Sequence, residues 1–97
     1  MQAWHPGAGD IRAGAAFAED RAAALGRTGR SLAEALTAYR EAVAAGCGPA
    51  TEAALLDGLA AWTYRLLLQR ECAGARTGNL AAIQAAYDLP DAVLRRL

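Results

Sequence analysis

The chain is expected to be all-α, a small up-down bundle of four main helices closed by a short C-terminal helix. Three observations lead there. Ala supplies 27 of 97 residues and Leu 13, both strong helix formers. Val and Ile supply only two each, too few of the β-branched residues that sheets favour. Between turn signals, the larger apolar residues recur every three or four positions, the period of a helix with one buried face.

Residues 1–9 carry Gly and Pro and form an expected flexible lead-in, and 10–97 is expected to be one helical domain. Asp10 can cap a first helix running to Leu25, with Ile11, Ala15, Ala18, Ala22 and Leu25 on one stripe. Gly26 suits the position just past a helix end, and Arg27-Thr28-Gly29-Arg30 then forms a loop. Ser31-Leu32-Ala33-Glu34 has the spacing of a capping box, in which a Ser hydroxyl and a Glu carboxylate satisfy each other's backbone amides. Leu32, Leu36, Tyr39 and Val43 follow as the apolar seam of a second helix, ended by Gly46-Cys47-Gly48.

Pro49 belongs in the first turn of a third helix, where its missing N–H is not needed. This helix runs from about Ala50 to Ala73, before Gly74. At ~1.5 Å per residue it is on the order of 35 Å long, the spine of the fold. Stepping 100° per residue puts Leu55, Leu59, Trp62 and Leu66 on one side, with Leu56, Thr63 and Leu67 beside them. Ala61, Tyr64 and Leu68 are left on a second, smaller seam. Gly58 costs about 1 kcal/mol against Ala inside a helix, which implies close approach of another backbone. After Arg76-Thr77-Gly78, Asn79 can cap a fourth helix from Leu80 to Tyr87. Asp88-Leu89-Pro90-Asp91 turns the chain into a last short helix, with Val93, Leu94 and Leu97 inward.

The segments around Arg27-Thr28-Gly29 and Arg76-Thr77-Gly78 echo each other, with a cap, a Leu-Ala pair and a Tyr eight residues after each cap. In an up-down bundle both loops lie at one end. Arg27, Arg30 and Arg76 would then stand beside two helix N-termini, whose free amides attract anions. Arg95 and Arg96 are a further basic pair. They would sit on the second helix if residues 80–97 form a helix-turn-helix that reads DNA.

Ten Arg balance ten acids. This zero net charge argues against bulk nucleic acid or an anionic membrane as the main partner, since both select a basic excess. No apolar run reaches the ~20 residues of a bilayer span, and the N-terminus lacks the pattern of a secretory leader. A cytoplasmic location is therefore expected, with Cys47 and Cys72 as reduced thiols at opposite ends of the third helix. His5 is the one histidine and falls in the lead-in. Two distant cysteines and one histidine give no zinc spacing, and no glycine-rich stretch matches a phosphate loop. Asp57 borders the Tyr64 seam, but no acid and base are paired, so no catalytic, cofactor or metal residue is assigned and the reading points away from an enzyme.

The expected function is a non-enzymatic protein-interaction or oligomerisation module, with a protein partner or a second copy of the chain. Its interface residues would be Trp4, Ala61, Tyr64 and Leu68, because aromatics anchor interfaces. The alternative is a nucleic-acid-binding or regulatory adaptor using the Arg-rich bundle end or the helix-turn-helix-like C terminus. Small adaptors of mobile elements share such compositions.

Overall fold

The computed structural model describes residues 8–75 and 77–97, with side chains described from Glu19 onward. Four helices follow one another: α1 (Ala8–Ala44), α2 (Pro49–Cys72), α3 (Asn79–Tyr87) and α4 (Asp91–Leu94). No strand occurs among the described residues. The all-helical class therefore holds, but the four main helices of the expected bundle become two long helices, one of nine residues and one of four.

The main departure is α1. Its 37 residues run without a break through the expected Gly26–Arg30 loop. Ser31 is therefore a mid-helix residue and not a cap. The reason is tertiary. Thr28, Leu32 and Leu36 are buried and Leu25 is packed against the core, so the stretch carrying the two glycines is also the stretch that packs. Burial of such a face outweighs the helix cost of about 1 kcal/mol per glycine.

The α1–α2 connection follows local chemistry closely. Gly46 takes φ +77°, its amide donates to the Val43 carbonyl, and the Cys47 amide donates to Ala42. This 5→2 and 6→1 pair of bonds closes a helix end through a left-handed residue, as glycine permits. Pro49 then opens α2. At the other end of α2, Gly74 (φ +103°) repeats the device, with its amide on Glu71 and that of Ala75 on Arg70. The expected bounds of this helix are met within a residue or so.

The two long helices run antiparallel. Tyr39 donates to Glu52 Oε1 at 3.3 Å near the turn, and Arg21 Nη1 donates to the Cys72 carbonyl at 3.3 Å where α2 ends. The part of α1 before Arg21 extends beyond α2, which accounts for the long 66 Å axis against 23 and 20 Å across.

α3 folds back along the hairpin. Gly78, at φ +68°, occupies the cap position expected for Asn79. Asn79 is instead the first helical residue and is buried. Its Nδ2 reaches back to the Ala75 carbonyl at 2.9 Å, and its Oδ1 accepts from Arg70 Nε at 3.2 Å, which ties the α2–α3 turn together. α3 ends at Asp88, held at φ +53°, a conformation that Asp tolerates better than most side chains. Arg40 of α1 fixes this end, donating to the Asp88 carbonyl at 3.0 Å with its carboxylate at 3.7 Å.

The core lies between the hairpin and α3–α4. It comprises Leu32 and Leu36 of α1, Leu56, Leu59, Ala60 and Leu66 of α2, Ile83 of α3, and Leu89 and Val93 around α4. Thr63 is fully buried among them, its hydroxyl spent on the Leu59 carbonyl at 2.8 Å. Several residues expected on apolar faces stay outside, Ala22 and Leu80 among them. Val43 is 43% exposed beside the turn, and Leu97 is exposed at the chain end. Gly58 is open as well: a Cβ there would meet nothing within 4 Å, so no close backbone approach within the chain explains it. The close approach is at Gly29, where a Cβ would fall 2.5 Å from the Tyr87 hydroxyl.

Candidate functional site

α3 and α4 cover one side of the hairpin and leave the outer face of α2 bare. Tyr64 is 54% and Leu68 42% exposed there, with Ala61 exposed beside them. Three of the four residues expected at a partner interface thus share one open stripe, as helical spacing from Leu55 implies. Trp4, the fourth, lies outside the described residues, as does His5.

This stripe is bounded by chemistry of two kinds. Toward α4, Asp57, Tyr64, Arg96 and Leu97 line a shallow depression of about 300 Å³. Arg96 closes it, donating Nε to Asp57 Oδ1 at 2.9 Å and Nη1 to the Ala92 carbonyl at 2.9 Å. Asp57, the carboxylate that borders the seam, is therefore the partner of an ion pair that pins the C terminus to α2. Toward α1, Trp62 is half-buried and carries the Arg65 guanidinium over its ring, 5.2 Å from the centroid.

The anion cluster expected from the Arg-Thr-Gly loops is not assembled as expected. Continuous helix through residues 27–31 removes one of the two helix N-termini, so Arg27 and Arg30 project from the middle of α1. Arg30 is exposed and lies back toward Gly26. Arg76 is outside the described residues. Arg27 instead shares a groove with α2 residues that the sequence did not single out, Arg65 and Gln69. The i, i+3, i+7 spacing of Trp62, Arg65 and Gln69 was the available signal, but it needed a straight α1 to bring Arg27 opposite.

Over residues 80–97, where a helix-turn-helix is the alternative reading, the structure has α3, a turn and the single helical turn of α4. Arg96 is spent on Asp57 and Ala92, and Arg95 is exposed.

Of the titratable groups, Tyr39 stands out. Partial burial first, then the Glu52 carboxylate and the hydrogen bond to it, push its phenol above the ordinary 10.0. It is a packing residue near the α1–α2 turn, away from the open stripe. Both cysteines are free thiols, Cys47 half-buried in that turn and Cys72 exposed at the end of α2. Among the described residues no group of His, Cys, Asp and Glu could hold a metal ion. No described helix is long and apolar enough to cross a membrane. No protein-family model matches the chain, and neither curated proteins nor solved structures yield a similar one.

Proposed function

We propose that this protein is a non-enzymatic, helical protein-interaction or oligomerisation module that engages its partner through the outer face of α2. The observation that carries this reading is the exposure of Tyr64 and Leu68 side by side on a helix whose other faces are packed. A half-exposed tyrosine supplies large contact area with a polar tip and few torsions to immobilise, which is why such residues anchor interfaces. The spare chemistry around it supports binding over catalysis, since the neighbouring Asp57 is already paired with Arg96.

The same ion pair weakens the alternative of a DNA-reading C terminus. A recognition helix needs free basic side chains over several turns, whereas α4 has four residues and Arg96 is turned onto α2.

A photo-crosslinking residue in place of Tyr64, with Glu34 on the far side of α1 as control position, tests the reading in the native host. A discrete protein adduct, with a second copy or another chain, is expected from position 64 alone. No adduct, or the same adducts from both positions, contradicts it.

A further inference from the structure

On the side of the hairpin away from α3, the two long helices enclose a groove of about 260 Å³. Arg27, Thr28 and Ser31 of α1 face Trp62, Arg65 and Gln69 of α2 across it. Toward the end of α2 it runs into a smaller recess of about 150 Å³ formed by Arg21, Leu68 and Cys72, with Ala24 and Gln69 common to both. We propose that this groove docks an acidic peptide segment of a partner protein, with a carboxylate held between Arg27 and Arg65 and an adjacent apolar side chain in the Leu68 recess.

Charge distribution is the first support. The chain has as many acids as arginines, and its two ion pairs among the described residues, Arg40–Asp88 and Arg96–Asp57, both lie on the α3–α4 side. Arg27 and Arg65 make none there. The nearest acids along α1, Asp20 and Glu34, stand seven residues, about two turns, either side of Arg27. The groove is therefore a local basic site in a neutral molecule, and an acidic occupant complements it.

Geometry is the second. Arg27 and Arg65 come from different helices and line one cleft, with Thr28 and Ser31 also in its wall. Forked donors of this kind suit a planar carboxylate. Arg65 is already braced on the Trp62 ring, which lowers the ordering cost of using it. Gln69 lines the same groove, and its Oε1 has no hydrogen-bond partner within the chain; turned outward, its side-chain amide can pair with a peptide backbone.

The recess decides between anions. An apolar pocket beside the arginines is of no use to inorganic phosphate or a sugar–phosphate backbone, and a nucleic-acid surface would carry a basic excess this chain lacks. An acidic residue next to a Leu-, Ile- or Phe-like one uses both parts. The inference rests on the interaction reading and adds a surface and a partner chemistry to it.

Panning a random-peptide phage library against the full chain tests it. Enriched peptides are expected to pair Asp or Glu with a large apolar residue. Added to the wild-type chain, they should shift the Trp62 indole and Gln69 side-chain amide resonances, and should bind Arg27→Ala/Arg65→Ala at least tenfold more weakly by fluorescence anisotropy. Enrichment of basic or neutral peptides, no enrichment, unchanged Trp62 and Gln69 signals, or displacement by a short oligonucleotide or millimolar phosphate overturns it. Peptides lost only on substitution of Tyr64 also overturn the groove, while leaving the interaction reading standing.

Discussion

The Tyr87 hydroxyl of α3 stands over Gly29 of α1, so that a Cβ at position 29 would lie 2.5 Å from that oxygen and 3.8 Å from the ring carbon bearing it. Only the oxygen is in the way; the ring carbon is at ordinary contact distance. Gly29→Ala gains about 1 kcal/mol of helix propensity but forces the α3 ring outward, an overpacking that costs about 1–3 kcal/mol. A net loss of about 1 kcal/mol is expected on chemical denaturation. In the Tyr87→Phe background the obstacle is gone, and Gly29→Ala should then stabilise. A double-mutant cycle reads this coupling directly. Additive effects would place Tyr87 elsewhere.

Gly58 is the opposite case. It sits in α2 with open space where a side chain would go. Gly58→Ala should raise stability by about 0.5–1 kcal/mol, a few degrees in Tm for a domain of this size. A destabilised variant, measured at a concentration where the chain is monomeric, would show that the position is crowded after all.

Much of α2 was legible because its limits are written in residues with few alternatives: Gly46 and Gly74 at left-handed ends, Pro49 where an amide is dispensable. Angular spacing alone also set Tyr64 and Leu68 apart from Leu59 and Leu66. The continuity of α1 before Ser31 was illegible for the converse reason. Gly26, Gly29 and Ser31-x-x-Glu34 carry strong local turn and cap signals, and only the burial of Thr28, Leu32 and Leu36 against other helices overrides them. The two Arg-Thr-Gly stretches make the point within one chain: the first is helical inside α1, whereas Thr77 and Gly78 of the second lie in the turn before α3. The Arg27–Arg65 groove was hidden with that continuity, because it exists only if α1 runs straight past Trp62.

Tyr39 gives the fold a pH signature. Its phenol in the folded chain ionises above the ordinary 10.0, through burial and then the Glu52 carboxylate. The unfolded chain ionises near the ordinary value, so the neutral phenol's contribution is complete below about pH 10 and lost as pH rises through the folded-state value. A 13Cζ titration should place Tyr39 above pH 10. The stability of Tyr39→Phe should fall less steeply than that of the wild type over the same alkaline range. Parallel curves would mean that Tyr39 is no more protected folded than unfolded.

Everything proposed for the open side of the hairpin depends on α1 being one helix, since an N-terminal segment folded back at residues 26–30 would have its own place to pack. Spin labels at positions 19 and 41, both exposed, with Cys47→Ala and Cys72→Ala to leave no competing thiol, measure this directly. Twenty-two residues of continuous helix separate the two backbone positions by roughly 33 Å. A double electron–electron resonance distribution centred near that distance is the predicted result. A short distance, on the order of the 10 Å between packed antiparallel helices, would contradict it.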